Sequence, residues 1–419
     1  MKVRNSLLMF AVSCAALTAS GVCATTIDET KLTPSDGAAN DYFGISVAIT
    51  GTTAIVGSML DDDSGADSGS AYLFDAATGA HIAKLTANDG AAADHFGSSV
   101  SISGTTAIVG AYGNDDNGTY SGSAYLFDTA TGVQFAKLTA NDGAAGDLFG
   151  NSVAISGTTA IVGAEGDDDN GINSGSAYLF DSMTGAQIAK LTASDGAELD
   201  SFGVSVAISG TTAIVGAFKD DGNGSAYLFD TVTGAQIAKL TANDGAAGDY
   251  FGYSVAISGT TAIVGASMDD VQGTDSGSAY LFDTVTGAQI GKLTANDGAA
   301  NDHFGVSVAI SGTTAVVGAH ANDENGADSG SAYFFDLLTG AQIAKLTGVT
   351  EYDNFGLSVA IFGTEAIVGA HRNVGLNDSG AAYLYNFAEP LPAVPLPAGV
   401  WLLSAALGGL SVLRRGRRA

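Results

Sequence analysis

The sequence predicts an all-β fold, a seven-bladed β-propeller with four antiparallel strands per blade, and three observations predict it. The stretch from Asp147 to Ala164, reading Asp-Leu-Phe-Gly-Asn-Ser-Val-Ala-Ile-Ser-Gly-Thr-Thr-Ala-Ile-Val-Gly-Ala, recurs seven times with small changes. Its Phe-Gly pair falls at Phe43, Phe96, Phe149, Phe202, Phe251, Phe304 and Phe355, in steps of 53, 53, 53, 49, 53 and 51 residues. A fixed period near 50 marks a repeat architecture. Each copy also holds four short β-rich runs bounded by turn residues, and the two ends of the repeat array complement each other.

The third copy shows the elements in order. Ser152 to Ser156 alternates apolar and polar residues, Gly157-Thr158-Thr159 is a turn, and Ala160 to Ala164 is a second run. Glu165 to Ser174 is a polar loop. Gly175 to Phe180 is an aromatic third strand, Asp181 to Gly185 a turn, and Gln187 to Thr192 the fourth strand. Short β-branched and aromatic runs between Gly, Asp, Asn and Ser clusters read as strands, and nothing between the two terminal segments reads as a helix. Four strands in each of seven units match a propeller. A β-solenoid is the competing repeat fold, but its coils are shorter and parallel, whereas hairpin-length turns favour antiparallel pairing. The last unit supplies three strands, Leu357 to Phe362, Glu365 to Ala370 and Ala381 to Phe387, and an orphan fourth strand precedes the first unit around Ile27 to Thr33. Joining them closes the ring and leaves no open edge between first and last blades.

The two ends read as addresses. Residues 1–24 have a basic start (Lys2, Arg4), an apolar run from Leu7 to Leu17 and small residues at Val22-Cys23-Ala24, the pattern of a secretory signal peptide. An uncleaved anchor helix is the alternative; a lipoprotein is disfavoured, since Ser20-Gly21-Val22-Cys23 lacks the Leu expected before a lipidated Cys. Residues 25–388 form the propeller body. Residues 389–397 hold four of the five prolines, a stiff spacer. Residues 398–419 hold a charge-free apolar run from Ala398 to Leu413, at the short end for a membrane span, and an Arg-rich tail that predicts a cytoplasmic C-terminus.

Val394-Pro395-Leu396-Pro397-Ala398-Gly399, the apolar run and Arg414-Arg415-Gly416-Arg417-Arg418 together resemble the VPLPA-CTERM type of PEP-CTERM sorting signal. That resemblance implies export in a Gram-negative bacterium that makes exopolysaccharide. It also implies an inner-membrane stage, recognition and cleavage by an exosortase, and delivery to the cell surface or matrix. A permanent single-pass anchor is the bland alternative.

The chain has 44 acidic against 15 basic residues and a formal net charge of −29. Such a body repels nucleic acid phosphate and favours cations, basic proteins or a salty medium. Of the nine basic residues between the terminal segments, seven are one repeat position: Lys31, Lys84, Lys137, Lys190, Lys239, Lys292 and Lys345. The others are Lys219 and Arg372. Both cysteines, Cys14 and Cys23, lie in the signal segment, so disulfides contribute nothing to the body.

The units resemble FG-GAP repeats, the blades of the integrin α-subunit propeller and of many bacterial surface proteins. The residues that carry the resemblance are Phe-Gly-x-Ser-Val-Ala and Ile-Val-Gly-Ala, as in Phe251 to Ala256 and Ile263 to Ala266. The integrin-type calcium loop between the first two strands is replaced by Ser-Gly-Thr-Thr, as at Ser209 to Thr212, so that site does not carry over.

Acidic residues lie instead between strands two and three. In an up-and-down blade that loop opens on the same face of the disc as the connection from strand four to the next blade. That connection carries further pairs, such as Asp89 with Asp94, Asp142 with Asp147 and Asp244 with Asp249. One acidic face is therefore expected. Its candidate metal ligands are Asp61, Asp62, Asp63, Asp115, Asp116, Asp167, Asp168, Asp169, Asp269, Asp270 and Asp323. A hard cation such as Ca²⁺ wants six to eight oxygens, which Asp/Asn/Gly loops can supply. Adjacent aspartates are not the alternating spacing of a known calcium loop, and solvated turn residues are the competing reading. The Asp before each Phe-Gly is expected to cap a turn, the Phe to pack between blades, and the Gly to allow a positive φ. The repeated lysine guards an edge strand or pairs with a nearby Asp. His81, His95, His303, His320 and His371 show no zinc spacing and no readable triad. The functional expectation is a non-catalytic binding or scaffold module, with a cation, a basic protein or a polysaccharide as ligand. The alternative is an extracellular hydrolase of carbohydrate or phosphate with its site on the acidic face.

Overall fold

The computed structural model describes residues 27–372 and 379–387. The expected signal peptide, Pro-rich linker and terminal apolar segment lie outside these residues. Among the described residues, no helix is long and apolar enough to cross a membrane.

Among the described residues, twenty-eight strands form seven four-stranded antiparallel sheets, each in simple up-and-down order. In blade 3 the strands are Val153–Ser156, Thr159–Ala164, Ser176–Asp181 and Gln187–Leu191, from the inside outwards. The seventh blade joins Val359–Phe362, Glu365–Ala370 and Ala381–Phe387 to Ile27–Leu32 from the other end of the chain. That last pairing runs from Ile27 opposite Phe387 to Leu32 opposite Ala382. The closure expected from the sequence is therefore present. One local difference is the fourth blade, whose loop between strands two and three is four residues shorter than most. There the chain turns through a short 3-10 helix, Asp220–Gly222, with Asp221 at a φ of 52°.

The core lies between blades rather than within them. One cluster packs Ile108, Leu126 and Leu138 of blade 2 against Phe149, Val153, Tyr178 and Phe180 of blade 3. Phe149 meets Tyr178 edge to face at 5.5 Å and Phe180 at 5.8 Å. The closing cluster joins Leu32, Ile367 and Leu384 to Phe43, Tyr72 and Phe74 in the same way. Burying each such Phe contributes roughly 1.5–3 kcal/mol. Glycines permit the close approach: a Cβ on Gly163 would collide with the carbonyl oxygen of Gly203 on the next blade. Gly203 itself has a φ of 96°, open to glycine and costly for other residues.

The serine of Phe-Gly-x-Ser stitches the inner strands into a ring. The hydroxyls of Ser46, Ser99, Ser152 and Ser205 accept backbone N–H bonds from Val100, Val153, Val206 and Val255 of the following blades, at 3.0–3.1 Å. Ser254, Ser307 and Ser358 donate instead to the carbonyls of Gly305, Gly356 and Gly44, each at 2.8 Å.

Candidate functional site on the acidic face

The lysine of each outer strand organises the acidic face. In blade 3, Lys190 stands opposite Tyr178 on the neighbouring strand, and its ammonium lies 5.2 Å from the tyrosine ring centroid. It contacts Asp142 at 2.8 Å, Asp167 at 3.0 Å, and Asp169. Asp142 belongs to the connection arriving from blade 2, and Asp167 and Asp169 to the loop between strands two and three. The two acidic sets therefore do meet on one face, as the strand order requires.

The adjacent aspartates divide the work three ways. In blades 1, 3, 4 and 5 the first of the run is buried. Asp167 accepts hydrogen bonds from Ser176 at 2.9 Å and from the Tyr178 hydroxyl at 2.8 Å as well as from Lys190. Asp61 does the same with Ser70, Tyr72 and Lys84, and Asp269 with Tyr280 and Lys292. The second turns back into its own loop: Asp62, Asp115, Asp168, Asp270 and Asp323 each accept the backbone N–H five residues on. The third, Asp63, Asp116 or Asp169, returns to the lysine. Glu324 takes that part in blade 6.

Among the described residues, six blades show this cluster with variations. Lys239 holds Asp195, Asp220 and Asp221. Lys292 holds only Asp244 and Asp269, because Val271 stands where a third acid would be. In blades 2 and 6 the buried position is Asn114 or Asn322. Its amide nitrogen donates to Asp94 or Asp302, while the hydroxyls of Tyr125 and Tyr333 are left without a hydrogen-bond partner. Burial alone would depress the Lys190 ammonium pKa, but hydrogen bonds to Asp142, Asp169 and Asp167 outweigh it and hold the pKa well above its ordinary range. Lys84 is raised to about 12 against the same burial. Asp142 is held low by the lysine despite its own burial.

The carboxylate oxygens of Asp142, Asp167 and Asp169 come within 4.8 Å of one another, close enough to share a metal ion. The cation they surround is the lysine ammonium of their own blade. Calcium needs six to eight oxygens, yet here one acid is committed to Ser and Tyr and another to the loop backbone. With the lysine in place, these residues do not fit Ca²⁺.

The aspartate before each Phe-Gly closes a turn. Asp147 accepts the N–H of Ala144 at 2.7 Å, and Asp94, Asp249 and Asp302 repeat the bond with Ala91, Ala246 and Ala299. Burial pushes the Asp41 carboxyl up to about 6, and raises Asp94, Asp147, Asp200, Asp249 and Asp302 too, with the N–H bond opposing it. The next residue is left-handed in every blade, with φ between 51° and 58°.

Sequence reasoning missed the acids of the connections, Asp36, Asp89, Asp142, Asp195, Asp244 and Asp297, as the lysine's partners. A signal was available: in five blades the lysine follows that aspartate by 48 residues, and in the shortened fourth blade by 44.

Seven radial four-stranded blades closed by both ends of the chain define a β-propeller. The model of the FG-GAP repeat matches residues 27–74, 80–127, 133–180, 186–229, 235–282, 288–335 and 341–385, and the chain belongs to that family. Each match begins on one blade's outer strand and ends on the third strand of the next, so the family unit straddles the blade boundary. No curated protein matches the chain. FG-GAP propellers are typical of non-catalytic binding modules.

Proposed function

We propose that the chain is an exported binding or scaffold propeller that works at the cell surface or in the extracellular matrix without catalysis. The observation that carries this reading is the run of seven FG-GAP repeats through the whole described body. The recurring acids support it, because they are committed to lysine, tyrosine, serine and backbone N–H groups and maintain the blade. The C-terminal resemblance to an exosortase-processed signal supports the location.

A glycan array read with and without Ca²⁺ tests the binding role, and the bound glycans are then assayed for turnover. Retention without cleavage is expected; release of cleaved product would overturn the reading. Location is tested by tagging the N-terminal side of the body and deleting residues 394–419. Surface delivery should be lost, and unchanged delivery would refute the sorting assignment.

A further inference from the structure

Blades 2 and 6 depart from blades 1, 3, 4 and 5 at one buried position. In the latter four it is Asp61, Asp167, Asp220 or Asp269, and the tyrosine of strand three donates its hydroxyl to that carboxylate at 2.6–2.9 Å. Blades 2 and 6 carry Asn114 and Asn322 there, 4% and 5% exposed. The lysine of the outer strand is kept, so each of these sites sets an amine beside a carboxamide. Lys137 Nζ lies 3.5 Å from Asn114 Oδ1, and Lys345 Nζ lies 3.4 Å from Asn322 Oδ1.

Each carboxamide is held at both ends. The oxygen of Asn114 accepts the Ser123 hydroxyl at 2.9 Å and the backbone N–H of Asp116 at 3.3 Å; that of Asn322 accepts Ser331 at 2.9 Å and the N–H of Glu324 at 3.4 Å. Donors so placed polarise the carbonyl and stabilise the charge that develops on its oxygen when a nucleophile adds. The nitrogen donates to a second group, Asn114 to Asp94 at 3.4 Å and Asn322 to Asp302 at 3.0 Å. Burial raises the pKa of both these carboxyls, which suits them to hand a proton to a departing nitrogen. The lysines in turn touch proton acceptors: Lys137 has Asp89 at 2.7 Å and Asp116, and Lys345 has Asp297 at 2.6 Å and Glu324.

The tyrosines mark the same two sites. Tyr125 and Tyr333 are fully buried, and their hydroxyls have no hydrogen-bond partner. The lysine ammonium lies 5.2 Å from the Tyr125 ring centre and 5.1 Å from that of Tyr333. Blades 2 and 6 therefore keep the lysine, its acids and the tyrosine, and change only the group the lysine faces. An ionised carboxylate resists attack by an amine, because addition would place a second negative charge on the same group. A neutral carboxamide has no such barrier.

We propose that Lys137 condenses with Asn114, and Lys345 with Asn322, to form two intramolecular isopeptide bonds. In blade 2 the Lys137 ammonium passes one proton to Asp116, and rotation of the last lysine torsions carries the free amine from Oδ1 to the face of Cγ. Its lone pair forms the Nζ–Cγ bond while Ser123 and the Asp116 N–H hold the oxyanion. The Cγ–Nδ2 bond then breaks. Asp94 gives a proton to the departing nitrogen and is recharged by the surplus proton on Nζ. The ammonia released takes the proton from Asp116, so ammonium and carboxamide become a secondary amide and an ammonium ion, with nothing else consumed. In blade 6 Glu324, Ser331 and Asp302 take the same parts. Burial lowers the Lys137 pKa, but hydrogen bonds to Asp116 and Asp89 raise it further than that, and Asp297 and Glu324 do the same for Lys345. Free amine is therefore scarce and the bond forms slowly. One turnover per site is enough, and fixed proximity replaces a diffusive encounter. Each bond would tie an outer edge strand to a loop 23 residues earlier, in a body whose sequence has no cysteine.

Mass spectrometry of the full chain tests this, after prolonged incubation of the folded protein. Its mass should fall short of the linear chain by two ammonia molecules. Trypsin should cut after Lys84, Lys190 and Lys239 but not after Lys137 or Lys345, and fragment spectra should join Asn114 to Lys137 and Asn322 to Lys345. Lys137→Arg keeps the charge without the nucleophile, and Asn114→Asp restores the carboxylate of the other blades; each should reduce the shortfall to one ammonia. A chain kept in denaturant throughout should stay linear at both lysines. The full linear mass in the folded wild type would overturn the proposal, and that measurement needs no variant. So would a shortfall with Lys137 and Lys345 still open to trypsin, the mark of succinimides at pairs such as Asn117-Gly118, or one that Lys137→Arg and Asn114→Asp leave unchanged.

Discussion

Replacing Lys190 with methionine removes a cation and leaves three carboxylates facing one another. Their oxygens lie within 4.8 Å, and at that distance two unit charges repel by about 3 kcal/mol at an effective dielectric of 20. Asp142 and Asp169 have side chains 48% and 53% exposed, so water weakens their share, whereas Asp167 is only 5% exposed. Breaking a fully buried pair costs about 3–5 kcal/mol; partial exposure brings the expectation for Lys190→Met to about 2–4 kcal/mol. Denaturant unfolding of wild type and variant gives that difference directly. The variant also presents an acidic cluster with its internal cation gone, so millimolar Ca²⁺ should recover stability in the variant and not in the wild type, because a ligand specific to the folded state must stabilise it. A loss below about 0.5 kcal/mol, the level of an ordinary surface pair, would refute the role given to the lysine. So would a wild-type protein that gains as much from Ca²⁺ as the variant does.

Tyr178→Phe removes a hydroxyl that donates to the Asp167 carboxylate and should cost about 1.5–3 kcal/mol, while Tyr333→Phe removes one with no hydrogen-bond partner and should cost far less; equal losses by denaturant unfolding would contradict the assignment. Deleting residues 25–33 strips the closing strand and the buried Leu32 from the seventh blade, so the ring should lose cooperative unfolding, whereas a sharp wild-type transition would show that closure is dispensable. Stability against pH should show two opposed trends. Burial, Arg372 and His320 lower His371 to about 3, so its contribution is present above pH 6.5 and fades as pH falls towards 3; Asp41, raised to about 6, contributes below pH 3.8 and loses that contribution as pH rises through 6. His371→Asn should remove the first trend, making the wild-type-minus-variant difference fall by up to about 1.4 kcal/mol per pH unit between pH 6.5 and 4; parallel curves would refute it.

The fold was legible because its determinants are periodic. A seven-fold Phe-Gly, four β-rich runs per copy and an orphan strand at Ile27 left one way to close the sheet. The acidic face followed from strand parity, since loops two apart in an up-and-down blade must emerge together. The tasks of Asp167, Asp168 and Asp169 were not legible, because three adjacent carboxylates look alike in a string. Only the loop's backbone turns one inward to Tyr178, one to its own N–H at Asn173 and one to Lys190. The serine stitch was hidden for a related reason. Ser152 and Val206 are 54 residues apart and meet only because neighbouring blades lie at a fixed angle round the ring.

The closing strand also gives the molecule a mechanical direction. Ile27 and Phe387 are paired, so the chain enters and leaves the body at one place. A pull transmitted through Phe387 loads a strand with a hydrogen-bonded neighbour on each side, and Phe387 itself is buried with its N–H bonded to Thr364. A pull through Ile27 loads an edge strand with one neighbour and mostly exposed side chains. Force applied from the C-terminal side therefore meets the stronger grip, and the same force from the N-terminal side would peel the clasp open.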